Sequence, residues 1–199
     1  MSERAVTRMS AEEFLEWCLH QEERYELVDG VPVAMAGAKQ RHDRIVVNAL
    51  TGLQPQLRGK TCRSYTADIA VRIPVGNIRR PDVGIDCAAF DEGSTTAGAP
   101  FLVMEVLSPS TRDFDMIRKL EEYKTVPGLA HIVLVEADRA QVFHWSRAAG
   151  GEWRYELLEG LDAVVRFIEI DCALDLATLY DGLTFRPLPR LVRDDGTAA

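Results

Sequence analysis

The order of hydrophobic periods along this 199-residue chain predicts an α/β (α+β) domain, a mixed central sheet flanked by helices with an additional antiparallel strand meander. Three observations predict it. Helical and strand periods alternate through the first two thirds of the chain. Two short runs, FLVMEVL at 101–107 and HIVLVEA at 131–137, are apolar on both alternating faces, as buried strands are. A helical stretch over 112–125 separates them, which leaves helices to pack on the sheet.

The elements follow in order. Residues 9–20 read as a helix, because Ser10 can cap it and Glu13, three positions on, completes a capping box. RYELVDGVPVAM, 24–35, reads as a hairpin turned at Asp29-Gly30. Residues 41–58 carry Ile45, Val46, Ala49, Leu50, Leu53 and Leu57 at helical spacing, with Pro55 kinking or shortening the last turn. Strands follow at 61–65, 67–73 and 82–87, with 74–81 a turn or loop between the last two. The small polar residues 88–99 read as a flexible loop. After 101–107, the SPST turn at 108–111 leads into the helix over 112–125. QVFHW, WRYELL and VVRFIEI form the meander, and 175–180 a short helix. One domain over 1–185 is expected, with 186–199 a flexible tail rich in Pro, Arg, Asp and Gly.

Composition excludes several classes. Hydrophobic residues make up 47%, enough for a packed core. No apolar run approaches the ~20 residues of a membrane span, and Met1–Ser10 has no signal-peptide core, so a cytoplasmic protein with no membrane partner is expected. Cys18, Cys62, Cys87 and Cys172 show no zinc or redox spacing and read as buried thiols. The net charge of −8 opposes nucleic acid, but the charge is unevenly spread. Residues 39–80 hold nine basic side chains (Lys39, Arg41, Arg44, Arg58, Lys60, Arg63, Arg72, Arg79, Arg80) against Asp43 and Asp68. Such a stretch can form a phosphate-binding stripe, or merely a solvated face.

Three residues look chemical. Glu105 lies inside an apolar strand, where an unpaired carboxylate would cost several kcal/mol (about 2–7 for a polar group, more for a charge) unless a metal, a lysine or a proton relieves it. Asp82 follows Pro81 at the start of a strand on which Asp82, Gly84 and Asp86 share a face, and Gly84 leaves room for a close approach. Lys119 sits on the helix after Glu105, in a stripe with Asp115 and Tyr123 beside a core stripe of Phe114, Ile117 and Leu120. Alone, an exposed Asp115–Lys119 pair would be worth about 0.2–0.5 kcal/mol and mean nothing more.

Together they form a pattern: Pro-Asp, some twenty residues, a glutamate in an apolar strand, then a lysine on the next helix. It resembles the PD-(D/E)xK, or restriction-endonuclease-like, nucleases, and more closely the Uma-two-like family. RYELVDGVPVAM, RHDRIVVNALTGL, RRPDVGID, FLVMEVLSPSTRDFDMIRKLEEYKTVPGLAHIVLVE and QVFHW carry the resemblance, over residues 10 to about 180. The chain departs from the superfamily pattern at Leu107, where (D/E)xK has lysine, and the resemblance implies that Lys119 supplies the cation from the following helix.

The resemblance implies a restriction-endonuclease-like fold and Mg²⁺- or Mn²⁺-dependent hydrolysis of DNA phosphodiesters. Asp82, Glu105 and Glu26 would be metal ligands and catalytic carboxylates, and Lys119 the catalytic cation. His42, Arg79, Arg80, Ser108, Ser110 and Thr111 are expected contacts to nucleic acid, with Asp68 and Gln141 weaker candidates. A homodimer using the aromatic residues Phe143, Trp145, Trp153, Tyr155 and Phe167 is expected. Two other readings stand beside this one. One is a catalytically weak nucleic-acid-binding or protein-interaction module. The other is a carboxylate–metal enzyme acting on a small phosphate ester, which would enclose the same carboxylates in a closed pocket.

Overall fold

A computed structural model describes residues 8–108 and 115–185, with backbone alone at 115 and 116. The SPST turn beyond Ser108, the start of the helix after it, and the tail from Arg186 lie outside the described residues.

The chain opens with α1, Ala11–Cys18. Its start is set by the Ser10–Glu13 capping box, in which the Ser10 hydroxyl accepts the Glu13 N–H and the Glu13 carboxylate accepts the Ser10 N–H. Phe14 and Leu15 are buried against the hairpin β1 (Tyr25–Val28) and β2 (Val31–Ala34). Asp29 and Gly30 turn that hairpin with φ of 51° and 80°, the doubly positive geometry of a type I′ turn. Helix α2, Gln40–Leu57, continues through Pro55 and buries Ile45, Ala49, Leu53 and Leu57, a stripe four residues apart.

Two sheets follow from the next strands. β4 (Val71–Arg72) and β5 (Ile78–Arg79) join the hairpin in a small antiparallel sheet, ordered β2-β1-β5-β4. The segment expected to be only turn or loop, 74–81, therefore contains a strand. Its turn is confined to the residues between Ile73 and Asn77, where the Asn77 carbonyl accepts from Ile73 and the Ile73 carbonyl from Gly76. Two-residue strands carry no periodicity, so only pairing with β1 and β4 defines β5.

The main sheet is ordered β10-β9-β8-β7-β6-β3, from β3 (Arg63–Thr66), β6 (Val83–Asp86), β7 (Pro100–Leu107), β8 (His131–Glu136), β9 (Gln141–Arg147) and β10 (Trp153–Glu159). Among the described strands of this sheet only β7 and β8 are parallel, and a π-helical turn, Asp115–Lys119, running into α3, Leu120–Lys124, lies between them. One face packs on α2, β12 (Cys172–Asp175) and α4 (Leu176–Leu179) through Met104, Val106, Val133 and Val135. The other packs on α3 through Val103, Leu107, Ile132 and Leu134. Burial on both faces explains the unbroken apolar runs of β7 and β8, each buried Leu, Ile or Val contributing about 1.5–3 kcal/mol.

Three expectations are corrected here. The meander divides: β9 and β10 extend the main sheet, while β11 (Val164–Phe167) pairs with β12 in a separate two-stranded ribbon. Ile117 is 69% exposed rather than core, because the π-helical turn advances the helix phase by one residue, and Leu120 and Tyr123 take the buried positions. Cys62 and Cys87 form a disulfide, because the β3–β6 register, Arg63 opposite Asp86, brings the residues just beyond them together. Among the described residues no helix is long and apolar enough to cross a membrane.

Candidate active site

The site is built where the two sheets meet. Glu105 is the sixth residue of β7 and alternates onto the α3 face with Val103 and Leu107. It is 4% exposed. Lys119, 7% exposed, ends the π-helical turn, and its ammonium lies 3.1 Å from Glu105 Oε1 and 3.1 Å from Glu26 Oε1 on β1. One turn further on, the Tyr123 hydroxyl donates to Glu105 Oε1 at 2.7 Å. Burial, then the nearby Glu105 and Glu26 carboxylates, push the Tyr123 phenol far up, so it stays protonated and donates.

Glu26 has protein partners at both oxygens. Oε1 also accepts the Arg80 backbone N–H at 3.0 Å, and Oε2 pairs with Arg79 at 3.1 Å. Arg79 is fully buried, and its other edge grips Glu122 with bonds of 2.6 and 2.9 Å. Burial alone would raise the Glu122 carboxyl, but Arg79, Asn77 and Arg118 outweigh it and hold it below the usual range. Burial pulls Arg79 down and Glu122 and Glu26 more than restore it, so its guanidinium is charged. Arg80 is buried too and donates to the carbonyls of Tyr25, Ala67 and Asp68.

Asp82 stands one residue before β6. The β6–β7 register pairs Val83 with Met104, so Asp82 comes next to Glu105, and its Oδ2 accepts the Val106 N–H at 2.8 Å. The same oxygen is 3.1 Å from His42 Nε2, on the first turn and a half of α2. Gly84 also has its reason. A Cβ there would lie 2.0 Å from the Tyr65 ring, so what approaches Gly84 is an aromatic side chain of β3. The Tyr65 hydroxyl is buried without a hydrogen-bond partner among the described residues.

The structure thus gathers Glu26, Glu105 and Lys119 into direct contact and sets Asp82 beside them, tied to His42. Arg79 and Arg80, expected as contacts to nucleic acid, are turned inward, where they brace Glu26 and the small sheet. Ser108 follows directly on β7, half-buried; Ser110 and Thr111 lie outside the described residues. The Asp68 carboxylate pairs with Arg24 on the surface, and the Gln141 amide bonds Glu159. Of the basic stretch, Arg41, Lys60, Arg63 and Arg72 contact this chain's own carbonyls or carboxylates, while Lys39, Arg44 and Arg58 are exposed. Tyr123 was readable from its spacing of four after Lys119. Glu122, Asn77 and Tyr65 were not, because nothing local distinguishes them from surface residues of a helix, a turn and a strand.

A hard divalent cation needs oxygen donors and keeps several waters, so one or two carboxylates suffice for Mg²⁺. Asp82 and Glu105, on neighbouring strands, are such a pair. Glu26, expected as a third ligand, has both oxygens engaged by Lys119, Arg79 and the Arg80 N–H. Accordingly, no group of three or more acidic, histidine or cysteine side chains suited to a metal is assembled among the described residues. Chemically, the arrangement is a carboxylate pair flanked by one buried, charge-balanced lysine.

Comparisons with known proteins bear on the family and the fold. Residues 11–176 match the model of the family Uma2, described as "Putative restriction endonuclease". An uncharacterized protein of Synechocystis is 32% identical over 183 residues, covering 89% of this chain and 94% of its own length. A second one from the same organism is 26% identical over 163 residues, covering 80% and 92%. Among solved structures, one from Anabaena variabilis, described as a putative nuclease, superposes with a TM-score of 0.69 at 17% identity, over 86% of this chain and 97% of its own.

Proposed function

Since the chain belongs to the Uma2 family, we propose that it is a metal-dependent endonuclease that hydrolyses DNA phosphodiester bonds. The observation that carries this reading is the convergence of Lys119 from the crossover helix on Glu105 of β7, beside Asp82 just before β6. Asp82 and Glu105 would hold Mg²⁺ or Mn²⁺, which when bound supplies an acidified water and neutralises charge at the scissile phosphate. Lys119 orients the attacking water and faces the negative charge that develops on the phosphoryl oxygens. Glu26 is a positioning residue: it holds Lys119 in place and is itself held by Arg79. Tyr123 fixes the Glu105 carboxylate by donating to it, and His42 does the same for Asp82. Exposed Lys39, Arg44 and Arg58 are the basic side chains left to meet the DNA backbone.

We read the working unit as a homodimer, since two copies related by a two-fold axis present two sites to the two strands of a duplex. Its place of work is the cytoplasm, where that substrate lies. The test is cleavage of supercoiled plasmid by purified protein with Mg²⁺ or Mn²⁺. Conversion to nicked or linear DNA, lost in Asp82→Ala, is expected. Plasmid left intact under both metals, with DNA still bound, would replace the nuclease by the binding-module reading.

A further inference from the structure

Among the described residues the main sheet ends at β10, and that end is open. Among the described residues β10 pairs only with β9, and its outer edge runs through Trp153–Glu159 without a proline or a bulge. Unprotected edges of this kind are templates for another strand. Its surface is also apolar where a monomer has no use for it. Tyr155 is 54% exposed and Leu157 42%. They continue a band in which Leu157 lies opposite Phe143, and Tyr155 opposite Trp145 with ring centroids 5.0 Å apart.

The direction of the backbone groups can be read from the ends of the β9–β10 ladder. The Ala148 N–H donates to Glu152 O at 2.8 Å, and the Gly160 N–H to Ala140 O at 3.0 Å. Hydrogen-bonded pairs in an antiparallel ladder recur every second residue. Glu152, Arg154, Glu156, Leu158 and Gly160 therefore turn their N–H and C=O groups towards β9. Trp153, Tyr155, Leu157 and Glu159 turn theirs outward.

We propose that two copies of the chain join edge to edge along β10, antiparallel, about a two-fold axis at Tyr155. This deepens the homodimer reading above and rests on it. The charge pattern and the length of strand aligned select the register. With the axis at Tyr155, outward-turned Trp153, Tyr155 and Leu157 meet Leu157, Tyr155 and Trp153 of the second copy, and Arg154 faces Glu156 twice. Those Arg–Glu pairs fall at non-hydrogen-bonded positions, where facing side chains come closest. An axis at Arg154 opposes that arginine to itself. An axis at Glu156 aligns the whole strand but opposes Glu156 to itself. An axis midway between two residues sets outward groups against inward ones and forms no ladder. The result is one continuous sheet through both copies, with the aromatic band of each meeting on one face.

The test is sedimentation velocity of the full chain at tens of micromolar, with circular dichroism to confirm that each variant folds. The wild type should sediment as a dimer of the 22.2 kDa chain. Arg154→Glu or Glu156→Arg should weaken that dimer at least tenfold, and the two together should bring it back to within about threefold of the wild type by exchanging the charges. Tyr155→Cys gives an independent readout: on oxidation it should cross-link to its own copy, and Leu157→Cys, which faces Trp153, should not. A dimer indifferent to both reversals, with no Tyr155→Cys cross-link, would overturn the β10 pairing and leave the homodimer standing. A monomeric wild type would overturn both.

Discussion

The ammonium of Lys119 lies 3.1 Å from Oε1 of Glu105, a contact that joins the crossover helix to the strand before it. Both groups are buried, so each is tolerable only because of the other and of Glu26. Lys119→Met should strip the buried Glu105 carboxylate of its counter-charge, leave Glu26 to Arg79 alone, and destabilise the fold by roughly 3–5 kcal/mol. A second change, Glu26→Gln, should recover part of that loss, as urea midpoints of the single and double variants would reveal. Plasmid cleavage should stay abolished in both. Equal stability of Lys119→Met and wild type would contradict the buried network.

Metal binding should register as thermal stability. An ion that binds only the folded state at a hundredfold its dissociation constant stabilises by about 2.7 kcal/mol, roughly 5–10 °C for a domain of this size. Scanning fluorimetry with millimolar Mg²⁺ or Mn²⁺ should show a rise in the wild type and none in Asp82→Asn or Glu105→Gln. Glu26→Gln should keep the rise, since Glu26 holds Lys119 rather than the ion. Loss of the rise in Glu26→Gln would instead make Glu26 a ligand.

Gly84 is a packing requirement. An added Cβ would lie 2.0 Å from Tyr65 Cζ, in a ring that cannot yield without leaving the sheet face. Gly84→Ala should cost about 1–3 kcal/mol, the usual range for overpacking. In a Tyr65→Ala background the same change should cost almost nothing, so a double-mutant cycle in urea isolates the clash. Equal costs in the two backgrounds would place the strain elsewhere.

Acid should weaken the fold through His144. Its ring meets His131 at 2.9 Å, and His131 bonds Glu169 at 3.0 Å. Burial, then the neighbouring His131, pulls the His144 pKa down to about 4, only partly offset by Glu169. The unfolded chain takes up its proton near pH 6.5 and the folded one near 4, so stability falls as pH drops through that window. The loss should approach roughly 3 kcal/mol by pH 4. His144→Gln, which keeps a donor to His131, should show a shallower fall in urea midpoint between pH 7 and 4.5. A slope identical to wild type would assign the acid sensitivity to other groups.

Much of the fold was legible in the sequence because local rules carried it. The Ser10–Glu13 box starts α1 where its spacing says it must, and Asp29-Gly30 can turn only a tight hairpin. The apolar runs at 101–107 and 131–137 announced strands covered on both sides. Glu105 stood out because a charge in such a run requires a partner, and Lys119 and Tyr123 stood out by their spacing of four.

Tertiary structure alone decided the rest. Arg79 and Arg80 read as a basic surface pair, yet both are internal, because whether a guanidinium faces water or a carboxylate depends on strands and helices distant in sequence: Glu26 and Glu122 are brought to Arg79 from β1 and α3. The π-helical turn that exposes Ile117 and aims Lys119 inward shifts the phase by one residue, which no periodicity of side chains reports. The Cys62–Cys87 bridge depends on the register of β3 against β6, which is set by packing across the sheet and leaves no mark in cysteine spacing. The sequence by itself determined the elements and the residues that need partners, since those follow from local sterics and the cost of burying charge. Which partner each received was decided only when non-local pairing brought the strands and helices together.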